Sequence, residues 1–327
     1  GAAFVPEGGA VRRHTGGETT TLEGYRNRHA LYKTDPDLQA AHAAFPWVTT
    51  WDDHETENNY AGAISEDGDP EEVFLERRAA AYQAYYEHLP LRPSSMPQGP
   101  DLRLYRRLVY GNLAEFSMLD TRQYRSDQPC GDGLRARCAA AQDPERTMTG
   151  PEQERWLLRG LDDSGARWNV IAQQVMMAEL MVLRSGERQF NLDQWDGYPA
   201  ARNRILGHVM SRAIPNTVVL TGDVHSAWIA DLKADFADPA SATVGTEFVT
   251  SSITADNPFA DRLRFLLPSN DHIRYYDGRH GYMRCEVTPE RWQTEVRALE
   301  GETEPEAAIE TVASFVVEAG QPGAKRA

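Results

Sequence analysis

Apolar residues along this chain follow two rhythms, amphipathic stretches of helical period and short unbroken runs, and the two alternate. Thr20-Thr21-Leu22-Glu23 has the form of a capping box and predicts a helix to about residue 33. Asp35-Pro36 predicts the start of a second, in which Leu38, Ala41, His42 and Phe45 recur at helical spacing until Pro46 stops it. The apolar Trp47-Val48-Thr49-Thr50-Trp51 then reads as a buried strand. Asp69-Pro70-Glu71-Glu72 predicts the cap of a long helix to about residue 88, where Tyr82, Tyr85 and Tyr86 serve packing. Residues 104–110 and 113–119, on either side of Gly111-Asn112, predict a hairpin, and 126–149 a loop. Pro151 opens a helix to residue 161 with Trp156, Leu157 and Leu161 on its inner face, and Trp168-Asn169-Val170-Ile171-Ala172 is the next buried strand. A helix over 199–213 and a strand over 217–221 repeat that pair. The remainder is strand-like at 247–253, 282–287, 291–298 and 313–317, with Thr288-Pro289-Glu290 as a turn. Alternating elements followed by a strand-rich tail predict a layered α/β sandwich in which helices cover mixed sheets. No composition shift suggests a linker, so one domain is expected.

Two polar clusters directly follow apolar runs: Asp52-Asp53-His54-Glu55-Thr56-Glu57-Asn58-Asn59 after Trp51, and Gly222-Asp223-Val224-His225 after Thr221. In open α/β sheets ligands bind beyond the carboxyl ends of strands, so chain-distant loops of this kind can converge. If the second cluster is extended, Asp223 and His225 point the same way, about 6–7 Å apart at the backbone. Carboxylate, amide and imidazole donors together suit cations of intermediate hardness better than a thiolate zinc site does. Asp52, Asp53, Glu55 and Glu57 concentrate like charge that a cation or solvent must relieve. A solvated loop and a helix cap are the structural alternatives. His54, between acids, can be a ligand, a structural imidazole or a general acid.

Of 327 residues, 34 are Lys or Arg and 49 Asp or Glu, a formal charge of −15, which excludes a phosphate-backbone nucleic-acid binder. A chain of this length needs neither disulfide nor metal to fold, so a metal would be catalytic. No apolar run approaches the ~20 residues of a membrane helix. Three cysteines exclude a disulfide framework, although Cys130 and Cys138 flank a loop that one bridge would close; three free thiols is the alternative. Gly1-Ala2-Ala3-Phe4 has neither an initiator Met nor a signal peptide and reads as a chain cut from something longer.

These clusters, with Leu119-Asp120-Thr121-Arg122-Gln123-Tyr124-Arg125, Gln153-Glu154-Arg155-Trp156-Leu157, Asp193-Gln194-Trp195-Asp196-Gly197-Tyr198 and His280-Gly281-Tyr282, come in an order that spans nearly the whole chain. The sequence resembles the PhoD-like alkaline phosphatases, metallophosphoesterases related to the calcineurin-like and purple acid phosphatases. The resemblance implies a layered αββα sandwich and metal-dependent hydrolysis of small-molecule phosphate esters, with iron and calcium as the associated ions. It implies Asp53 with Asn58 or Asn59, and Asp223 with His225, as metal ligands, and His54 as the group that steadies the transition state or protonates the leaving alkoxide. Arg122 is a candidate phosphate contact, since a guanidinium fork matches phosphate oxygens, against a structural salt bridge to Asp120 or another acid. Trp195 is a pocket wall or a loop anchor, and His280 lies near the pocket or packs. The resemblance further implies export of the folded protein and action outside the cytoplasm, which a Cys130–Cys138 bridge fits. A phosphodiesterase acting on phospholipid or cell-wall polymer is the alternative within hydrolases.

The departure from the family pattern is at the front. Its first metal motif, a Gly-Asp, would fall just before Gly1, so residues 1–327 are expected to be a phosphatase domain lacking its first strand and an N-terminal accessory domain. On that expectation the isolated polypeptide binds metal weakly and hydrolyses little, and a non-catalytic body is the reading from another class.

Overall fold

Local capping decides where the helices begin. In this computed structural model, which describes residues 14–327 apart from 256, 258–259, 302–303, 305–306 and the side chains of 261–262, α1 spans Leu22–Lys33. Its cap is Thr21, whose Oγ1 accepts from Gly24 N at 3.1 Å, one residue later than the capping-box reading. Asp35 Oδ1 accepts from Asp37 N and Leu38 N and starts α2 (Pro36–Ala44). The next helix, α3 (Glu71–His88), begins behind Pro70 with no side-chain cap, so the expected Asp69 cap is corrected. α4 (Gly150–Asp163) and α5 (Pro199–Ser211) both carry proline in the first turn. The N-terminal Gly1–Phe4 segment lies outside the described residues.

The strands are β1 (Arg106–Tyr110), β2 (Ala114–Met118), β3 (Leu134–Arg135), β4 (Trp168–Ala172), β5 (Val182–Arg184), β6 (Glu187–Asn191) and β7 (Thr217–Thr221). They continue as β8 (Ala227–Lys233), β9 (Thr243–Val249), β10 (Ile273–Asp277), β11 (Gly281–Val287), β12 (Arg291–Leu299), β13 (Ile309–Glu318) and β14 (Gln321–Arg326). Seven of them form a mixed sheet in the order β1-β2-β4-β7-β9-β8-β10, in which β2, β4, β7 and β9 run parallel. β11 to β14 form an antiparallel meander, and β3, β6 and β5 a small third sheet.

Unbroken apolar strands are buried on both faces, and this sheet shows why. On one face Ile171, Val219 and Trp228 pack against Leu157 and Leu161 of α4 and Ile205 and Leu206 of α5. On the other, Val170, Val218, Ile229 and Phe248 meet Trp292, Val296, Phe315 and Val317 of the meander. The expected sandwich of mixed sheets flanked by helices is thus formed. A separate cluster joins α1 to α3, with Trp51 stacked on Tyr82 at 4.0 Å and Tyr85 edge-on to Trp51.

Residues 47–51 are not a strand. Among the described residues they join no ladder, and Trp47 and Val48 are 39% and 54% exposed, while Trp51 is buried and Thr50 Oγ1 bonds to Leu119 O and Gln174. Trp47 instead stacks on His42, ring centroids 4.1 Å apart. The strand expected over 247–253 sits earlier, at Thr243–Val249, and the loop over 126–149 contains β3. Cys130 and Cys138 are bridged, and Cys285 is free.

Candidate active site

Parallel β2, β4, β7 and β9 place their carboxyl ends on one side of the sheet, and the polar segments that follow them meet there. Backbone bonds continue the ladder beyond the strands, from Leu119 N to Ala172 O at 2.8 Å, Gln173 N to Leu220 O at 2.9 Å and Gly222 N to Gln174 O at 3.0 Å. Two buried amides then set the segment after β2. Gln153 of α4 accepts from Asp120 N and donates to Asp120 O, while Gln174 accepts from Thr121 N and donates to Leu119 O. Asp120 accepts the backbone N–H of Arg122 and Gln123, a turn that directs the Arg122 side chain into the site.

Arg122 is fully buried, and its guanidinium donates only to carboxylates: Nε to Asp52 Oδ1, Nη1 to both oxygens of Asp193 at 3.0 Å, and Nη2 to Asp223 Oδ1 at 3.1 Å. Asp53 Oδ2 lies 3.9 Å from Nη2. Arg125 donates to Asp193 Oδ1, and Gln194 Nε2 donates to Asp223 Oδ2 at 2.6 Å. Ligand oxygens of Asp52, Asp53 and Asp223 all fall within 4.8 Å of one another. The two turns therefore converge although 170 positions separate Asp53 from Asp223.

The acid-rich turn divides its four carboxylates between two tasks. Glu57 is buried and saturated, accepting from Ser65 Oγ, Glu66 N and Arg77 Nη1. Glu55 accepts from Asp52 N, and burial pushes its carboxyl up to about 7. Asp52 and Asp53 face the centre. Asp53 holds the turn's shape as well, its Oδ1 accepting from His54 N at 2.8 Å and its Oδ2 from Asn59 N at 2.9 Å.

Four carboxylates, those of Asp52, Asp53, Asp193 and Asp223, share two guanidinium groups, those of Arg122 and Arg125. If all ionise, negative charge is in surplus. Burial, then the Asp52 charge beside it, drives the Asp223 carboxyl well above its ordinary range, and burial raises Asp52 too. Burial also opposes ionisation of Asp193 and Asp53, but Arg122 prevails, aided by Arg125 at Asp193, which is held down to about 2, and by His54 at Asp53. Surplus carboxylate oxygen a few ångströms apart fits an oxygen-seeking cation, so the donors present agree with metal binding.

The other expected site residues are placed as follows. Asp223 and His225 are not in an extended segment. Both adopt left-handed backbone, φ 68° and 48°, in a tight turn where Val224 N donates to Gly222 O, so the two-residue alternation expected of them does not apply. His225 stands outside the three-carboxylate grouping. Asn59 is also left-handed, at φ 50°, and half-buried, while Asn58 is exposed. The His54 side chain is 50% exposed, with Nε2 3.9 Å from Asp53 Oδ2. His280 is buried, its Nε2 3.1 Å from Ala255 O. Trp195 is buried and donates Nε1 to Gln173 Oε1, as a loop anchor does.

Asp193, Gln194 and Arg125 fall in the motifs that carry the family resemblance but were given no role, although they contact the site's arginine, its Asp223 and its Asp193 respectively. The available signal was their place in the motifs at 119–125 and 193–198.

Residues 2–296 match the family model described as PhoD-like phosphatase. The chain belongs to the PhoD-like phosphatase family. It is 50% identical over 326 residues to alkaline phosphatase D of Bacillus subtilis (strain 168), covering 99% of this chain and 56% of that protein. A solved structure described as that of PhoD superposes with a TM-score of 0.94 at 49% identity, covering 99% of this chain and 63% of that one. The chain thus spans little more than half the length of the curated relative it matches. Among the described residues, no helix is long and apolar enough to cross a membrane.

Proposed function

We propose that this chain is the hydrolytic body of a metal-dependent phosphatase acting on small-molecule phosphate esters. The observation that carries the proposal is the convergence of Asp52, Asp53 and Asp223 oxygens within 4.8 Å at the carboxyl ends of parallel strands. The similarity to alkaline phosphatase D, a name that states a phosphatase, supports the reaction class.

On this reading Asp53 and Asp223 hold cation, with Asn58 or Asn59 and His225 as further donors, and Asp52 joins them. Iron and calcium are the ions proposed, on family resemblance. When bound, such ions supply an acidified water and compensation for charge growing on the phosphoryl oxygens. Arg122 orients the carboxylates from behind: sealed from solvent and committed to three acids, it positions them and does not contact phosphate. On this reading His54 delivers a proton to the leaving alkoxide, a role its half-exposed side chain beside Asp53 supports. The net charge of −15 repels a phosphate ester at distance, but local positive charge dominates within a Debye length of about 8 Å. The Cys130–Cys138 bridge supports action outside the cytoplasm.

The test is metal analysis of the chain after incubation with iron and calcium, together with turnover of chromogenic mono- and diesters. Asp53→Asn combined with Asp223→Asn is expected to lose both bound metal and turnover. Retention of both by the double variant refutes the proposal, and the mono- to diester ratio of the parent assigns the ester class.

A further inference from the structure

The loop closed by the disulfide reaches into the acid-rich turn. Asn59 Nδ2 donates to Asp132 Oδ2 at 2.7 Å, and Asp132 Oδ1 accepts from Gly133 N at 2.6 Å, so the carboxylate is pinned at both oxygens. With the Asn59 side-chain nitrogen donating to Asp132, the amide oxygen is the other end of the group. Among the described residues that Oδ1 receives no hydrogen bond. The Asn59 backbone is held as firmly, its N–H on Asp53 Oδ2 and its carbonyl accepting from Arg125 Nη2 at 2.9 Å and Gln128 Nε2 at 2.6 Å.

Asp132 is held from both sides, by different means. On the C-terminal side, β3 pairs with β6 and Leu192 N donates to Gly133 O at 3.0 Å, tying the loop to the segment that carries Asp193. Arg137 adds bonds to Asp196 and Glu179. On the N-terminal side Cys130 and Gly131 are left-handed, φ 66° and 75°, a conformation that a non-glycine residue such as Cys130 keeps only when its surroundings impose it. Upstream, buried Gln128 is anchored on Asn59 O and Asp193 Oδ1, and the bond from Cys130 to Cys138 ties the short stretch between Gln128 and Asp132 across the loop.

We propose that Asp132 is a positioning residue for the site, orienting the Asn59 amide oxygen, and that the Cys130–Cys138 bridge acts on the site by holding Asp132. The part that concerns metal rests on the hydrolytic reading above; the positioning itself does not. In metalloenzymes a lost hydrogen-bond partner of a ligand typically costs about 10- to 100-fold in metal affinity.

The experiment compares wild type, Asp132→Ala, Asp132→Asn, Cys130→Ser/Cys138→Ser and the triple combination of Asp132→Ala with both serines, using the full chain. Hydrogen–deuterium exchange across 53–60 is read alongside calorimetric titration with calcium ion alone. Asp132→Ala is expected to speed exchange over 53–60 by about 10-fold while the melting temperature stays put, because the loop is at the surface. It should weaken calcium binding by about 10- to 100-fold. Asp132→Asn, which keeps an acceptor oxygen, should recover part of both. The serine pair should reproduce the Asp132→Ala exchange pattern, and the triple variant should add nothing to it. Unchanged exchange over 53–60 in Asp132→Ala overturns the proposal, as do simply additive effects of the loop and disulfide changes. If exchange responds as expected but wild type takes up no calcium or iron, the positioning role stands and the hydrolytic reading falls.

Discussion

Replacing Arg122 by Met keeps the volume and apolar stem but removes the cation around which three carboxylates are arranged. Breaking a buried ion pair from one side costs about 3–5 kcal/mol, because the partner is left charged and dry. Here Asp52, Asp193 and Asp223 all lose a donor at once, with Arg125 able to serve only Asp193. The upper part of that range is therefore expected, about 5 kcal/mol, against a typical total of about 5–15 kcal/mol for a folded protein. At an unfolding entropy of about 2.1 cal/mol/K per residue, 327 residues give roughly 1.5 °C per kcal/mol, so the melting temperature should fall by about 7 °C. Arg122→Lys, retaining charge without the fork, should lose less. Urea unfolding followed by tryptophan fluorescence measures the loss by linear extrapolation. Calcium ion at about 100 times its dissociation constant should return about 2.7 kcal/mol, since it binds the folded carboxylates and not the unfolded chain. A loss below about 1 kcal/mol would show that the carboxylates do not depend on this guanidinium, and the account of the buried centre would be wrong.

Other perturbations test neighbouring parts of the structure. His29 stacks on His88 with ring centroids 5.0 Å apart, and burial, with the His88 and Lys33 charges, lowers it to about 4. Its neutral form is favoured in the fold, so its contribution is fully present above pH 6.5 and disappears as pH falls toward 4. After discounting for partial exposure this amounts to about 1–2 kcal/mol. His29→Phe should flatten the stability profile between pH 6.5 and 4, and an unchanged slope rejects the assignment. A Cβ on Gly197 would lie 2.2 Å from Leu192 O, a backbone atom that cannot swing away. Gly197→Ala should therefore shift the Asp193–Tyr198 segment and cost about 2–3 kcal/mol by thermal melting. Glu247 accepts from Met177 N, Ala178 N and Thr221 Oγ1 in the core. Glu247→Leu strands two backbone donors and should cost about 2–5 kcal/mol, and near-neutral stability in denaturant titration would show that they find other partners.

Order along the chain was legible where the cause is local. Thr21 and Asp35 cap α1 and α2 with their own side chains, and the buried strands at 168–172 and 217–221 are marked by runs of β-branched and apolar residues. The two polar clusters were legible for the same reason, being contiguous, and so were the family's motifs. Residues 47–51 show the limit: apolar composition suggests a strand, but a strand exists only if a neighbouring backbone pairs with it, and among the described residues none does; side chains serve instead, Arg106 donating to Thr49 O and Thr50 Oγ1 to Leu119 O. β8 and β10, unnoticed as runs, are strands because β9 and then β8 offer open edges.

By itself the sequence determined where the helices begin to within a residue or two, most of the apolar runs that line the core and which residues were available for chemistry, since all of these depend on neighbours within a few positions. Only the tertiary structure decided that Glu57 is spent on Arg77 while Asp52 and Asp53 face Asp223, that Arg122 is sealed among acids, and that Asp193 and Gln194 belong to the site. Charge interactions depend on distance in space and on exclusion of water. Both are created when strands far apart in the chain pair side by side, and no local pattern encodes them.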